Sequence, residues 1–223
     1  MISQDDRSNL LKKTLDGVVS AENRMGLGKM ARGETKRKLL DVGRRIFAER
    51  GFHHAGIDII LKTADVPKGS FYNYFESKED FGLSVIDDFA SRCDEEIEKY
   101  LGDRSLRPLE RLTKHCESMI ERMSSGGCRH GCLVGMLSQE MADQSEIFRH
   151  RLEDVFGRWV DRYAECLGEA QEAREIPKAL DVHEIAEFWL NSWQGAILRA
   201  KTAKSAEPLR QFLKVMIEVV LRV

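Results

Sequence analysis

The sequence predicts an all-α fold, and three observations support this prediction. Apolar residues recur at helical spacing through most of the chain after residue 33. No alternating run of β-branched residues bounded by hairpin turns is present. All four prolines lie where a helix could begin or end, at Pro67, Pro108, Pro177 and Pro208.

Composition narrows the possible functions. A chain of 223 residues suits one or two domains with a sizeable core. The net charge of -2 means that contact with nucleic acid would need a local basic patch. No apolar run approaches the roughly 18 residues of a membrane span, and no signal-peptide pattern opens the chain, so we expect a cytoplasmic protein. Five scattered cysteines fit reduced thiols better than a disulfide framework.

The N-terminal part contains a weakly patterned arm and then a basic helix. We expect residues 1–32 to form a flexible arm and residues 34–50 to form a helix that ends at Gly51. Three acidic residues in 29–50 stand against eight basic ones, namely Lys29, Arg32, Lys36, Arg37, Lys38, Arg44, Arg45 and Arg50. Most such charge runs are solvated helix faces, but the position just before the next motif favours contact with phosphates.

Residues 56–75 have the pattern of two short helices joined by a tight turn. Ile57, Ile60 and Leu61 give the first helix one apolar face. Pro67 ends that helix, because it restricts the residue before it, and a second segment can start at Pro67 or Lys68 and run to Phe75. This pattern predicts a helix-turn-helix whose second helix is sized to enter a DNA major groove.

Several residues in and around this motif are candidates for DNA contact. Lys68 and Ser70 lie in the first turn of the second helix, where unpaired N–H groups attract phosphate or base oxygens, and Gly69 permits a close approach. Phe71 and Phe75 are spaced as core residues. Ser77 is a candidate N-cap for the next helix. The predicted contact residues are Arg37, Lys68, Gly69, Ser70, Tyr72, Asn73, Tyr74 and Lys78, the last because a phosphate explains its charge better than the helix dipole does.

Long amphipathic helices follow as far as residue 221. The last two helices are apolar on more than one face. They could form a four-helix seam between two copies of the chain, or they could close the core of one copy, and we expect some of each.

The stretch 128–140 allows three interpretations. Cys128, His130 and Cys132 could bind a metal, although their spacing matches no common zinc pattern. Cys132 could be an inert buried thiol, which the residues alone favour. It could also be a reactive thiol at a helix start, with Arg129 and His130 favouring the thiolate.

A spaced set of motifs resembles the TetR family of one-component transcriptional regulators. The set comprises Gly51-Phe52, Ile57–Ile60, Ala64–Phe75 and Ser77–Glu79. The resemblance implies a three-helix DNA-binding domain over 33–80 and a larger helical domain over 81–223 that binds an inducer and dimerises. Many members carry Ser where this chain has Pro67, and proline at the first helical position can serve the same start.

Further segments are similar to a TetR subgroup that includes the N-ethylmaleimide-responsive and acrylate-responsive repressors. They are Gly131–Gly135, Phe188-Trp189, Trp193–Ala196, Leu198–Lys201 and Glu207–Leu209. This similarity implies an inducer that is a small electrophile or an unsaturated acid, sensed near Cys132, with Lys201 close by. The ligand and sensor candidates are Cys132, Met136, Trp159, Tyr163, Trp189, Trp193 and Lys201, joined by Met119 and Met123, and each could equally be plain core.

These observations predict a homodimeric repressor without a cofactor, bound to a near-palindromic double-stranded DNA operator and released by a small-molecule inducer. One alternative is a redox- or metal-responsive regulator that acts through Cys128 and Cys132. A less favoured alternative is an enzyme with Cys132 as nucleophile and His130 as base, for which no orienting carboxylate is evident.

Overall fold

The computed structural model of the protein describes residues 33–222, so the predicted arm over 1–32 lies outside the described residues. Helix α1 covers 33–50. The other helices are α2 (Ile57–Ala64), α3 (Lys68–Phe71), α4 (Lys78–Leu101), α5 (Pro108–Ser125), α6 (Leu133–Met141), α7 (Glu146–Glu172), α8 (Val182–Ala203) and α9 (Glu207–Glu218), followed by a 3₁₀ turn at Val220–Arg222. No strand occurs in residues 33–222, and the all-α prediction is confirmed.

The turn between α2 and α3 follows the expected chemistry, with two differences. Asp65 adopts the left-handed conformation that ends α2 (φ 50°). Pro67 is extended and caps α3, instead of taking the first helical position. Helix α3 is also shorter than the predicted Lys68–Phe75, since it ends at Phe71. There the N–H of Tyr74 bonds to the Phe71 carbonyl at 2.9 Å, a three-residue step tighter than the α-helical pattern.

Aromatic side chains hold the first three helices against α4. Phe71 and Phe75 are buried, as predicted, and their ring centroids lie 5.4 Å and 4.8 Å from that of Phe81. Phe47 of α1 packs on the same Phe81 ring at 5.8 Å. The short helix α3 is therefore positioned by its two phenylalanines rather than by its own length.

The remaining helices form a bundle. Helix α4 packs against α5 and α7, whereas α8 packs between α7 and α9. Ser77, Ser145 and Asp181 accept hydrogen bonds from the first turns of α4, α7 and α8. Within residues 33–222, no helix combines the length and the apolar character that a membrane crossing requires.

Candidate functional site

The recognition segment, residues 68–75, presents polar groups to solvent. Lys68 has a side chain that is 65% exposed and pairs with Asp58 at 3.0 Å, an interaction that raises the pKa of Lys68. A side-chain atom at Gly69 would meet no other atom within 4 Å, so a ligand backbone can approach there. Tyr72 is 55% exposed. This surface is open to an anionic partner.

The basic face of α1 lies beside this segment. The Lys36 Nζ atom is 5.6 Å from the centroid of the Phe75 ring, and the neighbouring Arg37 is exposed. Asn73 is exposed as well, whereas Ser70 and Tyr74 are half-buried. Lys36 of α1 therefore lies close to the end of the recognition segment.

Lys78 lies in a different environment from the one that the sequence suggested. Its Nζ atom donates to the His53 carbonyl at 3.3 Å and lies 4.5 Å from the centroid of the Phe52 ring. Burial lowers the pKa of Lys78, and nearby Glu140 opposes this effect. These contacts give the charge of Lys78 partners within the fold, and its predicted contact with a phosphate stays a prediction.

A cavity of about 420 Å³ lies between α4, α5, α7, α8 and the loop that leads into α6. Four of the predicted sensor residues line it, namely Cys132, Trp159, Tyr163 and Trp193, together with Met119 and Met123. A volume of this size suits a small organic ligand. The structure thus brings together residues that are up to 74 positions apart in the chain, from Met119 to Trp193.

Three predicted sensor residues do not line this cavity. Trp189 is buried in the core behind it, with its ring centroid 5.3 Å from that of Phe212. Met136 lies one helical turn after Cys132. The Lys201 Nζ atom is 3.8 Å from the Sδ atom of Met136. Lys201 therefore reaches α6 beyond the cavity wall, and its predicted place beside the Cys132 thiol is not observed.

Sequence reasoning missed several residues of the cavity wall. Phe89, Cys93 and Ile97 line it from α4, and their spacing of four residues could have indicated a shared face. His115 and Gln194 also line it, but they come from α5 and α8. No local pattern indicates that these helices meet at a cavity.

The inner part of the cavity holds groups that stay uncharged near neutral pH. Burial lowers the pKa of His115 to about 4 and raises that of Cys93 to about 12. The Tyr163 hydroxyl lies 3.4 Å from His115 Nδ1, a weak contact in this dry environment. The wall can offer neutral polar contacts and an apolar surface to a ligand.

The thiol of Cys132 is less activated than the sequence suggested. Burial raises the pKa of Cys132, and the backbone amides of Gly135 and Val134 and the side chain of Gln194 offset only part of this effect. The interpretation in which Arg129 and His130 favour the thiolate gains no support, because burial outweighs the groups that lower the pKa of Cys132. A reagent that modifies Cys132 must first enter the cavity.

Cys128 and Cys132, the two cysteines of the redox- or metal-responsive alternative, lie in different surroundings. Cys128 is buried and is not part of the cavity wall, whereas Cys93 shares that wall with Cys132. In the described range 33–222, no group of three His, Cys, Asp or Glu residues is arranged to hold a metal ion. The metal-responsive alternative thus has no ligand set in this part of the chain.

Glu140 joins the other end of α6 to the N-terminal helices. Its carboxylate accepts hydrogen bonds from the Phe52 N–H at 2.7 Å and the His53 N–H at 2.8 Å. Gly51 beside them has φ +76°, and a Cβ atom there would lie 2.6 Å from Glu140 Oε2. Because Cys132 caps the N-terminus of α6, one nine-residue helix runs from the cavity to the turn between α1 and α2.

Comparison with known proteins identifies the family. Residues 39–84 match the family described as bacterial regulatory proteins, tetR family, and residues 108–216 match the tetracyclin repressor-like C-terminal domain. The HTH-type transcriptional repressor DhaR of Mycobacterium sp. (strain GP1) is 40% identical over 86% of this chain and 95% of its own. The transcriptional regulator AcuR of Cereibacter sphaeroides is 41% identical over 79% of this chain and 80% of its own.

A solved structure shows the same architecture. The crystal structure of E. coli NemR in its reduced form superposes with a TM-score of 0.78 at 29% identity, covering 83% of this chain and 96% of that one. The relatives are named as transcriptional regulators or repressors and not as enzymes, so the cysteine-enzyme alternative is set aside. The chain belongs to the TetR family of DNA-binding transcriptional regulators.

Proposed function

We propose that the protein is a homodimeric repressor that leaves a near-palindromic operator when a small electrophile or unsaturated acid occupies the cavity at Cys132. One observation carries this proposal. Helix α6 has the cavity residue Cys132 at its N-terminus and Glu140, bonded to the turn between α1 and α2, near its other end. A ligand that displaces the start of α6 is thereby linked to the DNA-binding helices.

The recognition segment supports the DNA-binding half of the proposal. Lys68, Gly69 and Tyr72 are exposed, and the basic side chains of α1 lie beside them. Such charges attract phosphates, while exposed side chains of α3 reach base edges. The inducer must favour the arrangement that does not fit DNA, since a ligand with equal affinity for both arrangements changes nothing.

A second copy of the chain fits the exposed apolar face of α8 and α9. Phe188 and Leu198 on α8 and Val215 on α9 are each at least 42% exposed, which is unusual for residues of this size. Gly195 lies between the first two and leaves open space for a close helix contact. To bind a near-palindromic operator, a two-fold dimer needs its two recognition helices about one DNA turn apart.

The first test measures binding to the DNA upstream of the protein's own coding sequence, with and without acrylate or N-ethylmaleimide. We expect either compound to release the wild type and N-ethylmaleimide to leave Cys132→Ser bound. Cys128→Ser is the matched control, because this nearby thiol lies outside the cavity wall. Failure of the wild type to bind DNA at modest salt would overturn the repressor proposal.

The pH dependence of alkylation tests the state of the thiol. Because burial raises the pKa of Cys132, its thiolate fraction stays small and grows about tenfold per pH unit up to pH 9. The rate of modification by N-ethylmaleimide, followed by mass spectrometry, should rise in parallel without a plateau. A plateau below pH 8 would show instead that the protein stabilises the thiolate.

A further inference from the structure

One residue of the cavity wall comes from α1, a helix of the DNA-binding unit. Arg44 belongs to α1, and it lines both the cavity and an adjoining cleft that lies between α1, α4 and the loop before α6. The two spaces share Phe89, His130 and Gly131 as well. A ligand in the cavity can therefore touch α1 directly.

The charges around the cavity favour an anion. Four arginines line it, namely Arg44, Arg92, Arg122 and Arg129, and Glu96 is the single acidic residue of the wall in the described part of the chain. Glu96 is already paired with Arg122 at 2.5 Å. The wall also contains apolar and aromatic residues, among them Trp159, Trp193 and Ile197. A small carboxylate with a short apolar tail matches this distribution of charge.

Arg44 and Arg92 share one carboxylate partner. Asp41 Oδ1 accepts from Arg92 Nη2 at 2.7 Å and from Arg44 Nη2 at 3.2 Å, so Asp41 links α1 to α4. Arg92 also pairs with Asp88 on its own helix at 3.0 Å. The Arg44 Nε atom is buried and has no hydrogen-bond partner within residues 33–222. Arg44 thus lines the cavity with a side chain whose buried Nε–H has no partner in this range and whose only ion pair there is with Asp41.

We propose that Arg44 and Arg92 bind the carboxylate of the inducer and that this carboxylate competes with Asp41 for them. The inference rests on the proposed function and names the residues that would read the charge of the ligand. Loss of the Asp41–Arg92 pair would loosen α1 from α4, so ligand charge would act on the DNA-binding unit without passing through α6. Arginine suits this exchange because its planar guanidinium binds either carboxylate with similar geometry.

The test compares acrylate with acrylamide, its uncharged analogue, in a Cys132→Ser parent that cannot form an adduct at this thiol. Binding is followed by calorimetry, and thermal melting confirms that each variant folds. We expect acrylate to bind the parent at least about tenfold more tightly than acrylamide. Arg44→Gln should weaken acrylate binding at least about threefold and leave acrylamide unchanged, whereas Asp41→Asn should strengthen acrylate binding about threefold.

Arg158→Gln is the matched control. Arg158 is a half-exposed arginine that pairs with Asp94 of α4 at 3.5 Å, and it does not line the cavity. Equal acrylate affinity in Arg44→Gln and the parent would overturn this inference and leave the proposed function intact, as would weaker acrylate binding in Asp41→Asn. If the parent binds neither compound, this inference and the acid-inducer part of the proposed function both fail, while operator binding separately tests the repressor.

Discussion

Two polar contacts between the N-terminal helices (α1–α3) and the C-terminal bundle (α4–α9) differ in kind. At the first, the Glu140 carboxylate accepts two backbone N–H groups, from Phe52 and His53, at 2.7 and 2.8 Å. At the second, Asp41 and Arg92 meet through exposed side chains at 2.7 Å, with 43% and 44% of each side chain exposed.

The difference indicates which contact can change during regulation. Backbone N–H groups have no freedom to turn toward another partner, and the Glu140 bonds are charge-assisted. An exposed ion pair contributes only about 0–1 kcal/mol, and both of its side chains can exchange partners. Glu140 is therefore suited to be a fixed pivot, whereas the Asp41–Arg92 pair is suited to be the contact that a ligand exchanges.

Substitution of Glu140, the pivot, should have the largest effect on the free energy of unfolding. Glu140→Ala leaves two N–H groups without their acceptor and should lower the free energy of unfolding by about 2 kcal/mol. It should also reduce the ratio of operator affinities without and with inducer. Urea titration and DNA binding measure the two effects. Glu146→Ala, at an exposed carboxylate on α7, is the control. A change in unfolding free energy below about 0.5 kcal/mol would show that Glu140 is not a pivot.

Gly51→Ala should act on the same contact with a slightly smaller effect. The left-handed φ of +76° disfavours a side chain, and the new Cβ atom would lie 2.6 Å from Glu140 Oε2, so we expect a loss of about 1–2 kcal/mol. The loss should be smaller in a Glu140→Ala background, which a double-mutant cycle measures. Gly157→Ala, within α7 and with open space around it, should not destabilise the protein. Strict additivity of the two substitutions would mean that they act independently.

Lys78→Met should lower the free energy of unfolding by a moderate amount. The substitution removes the hydrogen bond to the His53 carbonyl and the charge above the Phe52 ring, at a cost of about 0.5–1 kcal/mol. The salt dependence of operator binding should change less than in Lys68→Met, for which we expect a slope smaller by about one. An equal change in slope for both variants would support the phosphate contact of Lys78 that the sequence predicts.

Asp41→Asn should have the smallest effect on stability. Because the pair with Arg92 is exposed, we expect a change below about 0.5 kcal/mol in the free energy of unfolding. Urea titration at low and high salt measures it, with Asp87→Asn, which breaks a similar pair with Arg151, as the control. A loss above about 1.5 kcal/mol would show that the Asp41–Arg92 pair is as strong as the Glu140 contact. The pair would then not be the more easily exchanged of the two contacts.

Prediction from sequence was most successful where the determining contacts are local. Ser77 caps α4 as predicted, because its acceptor oxygen lies only three residues from the donor N–H. Phe71 and Phe75 were correctly placed in the core from their spacing. The extent of α3 was not predicted, because the tight turn after Phe71 gives no comparable signal in the sequence.

The residues that line the cavity were predicted only in part, because contacts between distant parts of the chain decide which residues these are. The sequence singled out Cys132, Trp159, Tyr163 and Trp193, because aromatic residues and a cysteine at a helix start are recognisable by type. It did not indicate that Trp189, of the same type, lies behind the wall in the core. Trp189 and Trp193 lie one turn apart on the same side of α8, so only the packing of the neighbouring helices decides which of them meets the cavity.

The sequence by itself determined the all-α class, the Ser77 cap and the family, because these depend on spacing and on short motifs. Only the tertiary structure decided the surroundings of the functional groups. It half-buried Cys132 and raised its pKa, gave Lys78 partners inside the fold, and set Glu140 against backbone N–H groups 87 and 88 positions away. Electrostatics and hydrogen bonding depend on distances in space, and helix packing sets these distances independently of separation along the chain.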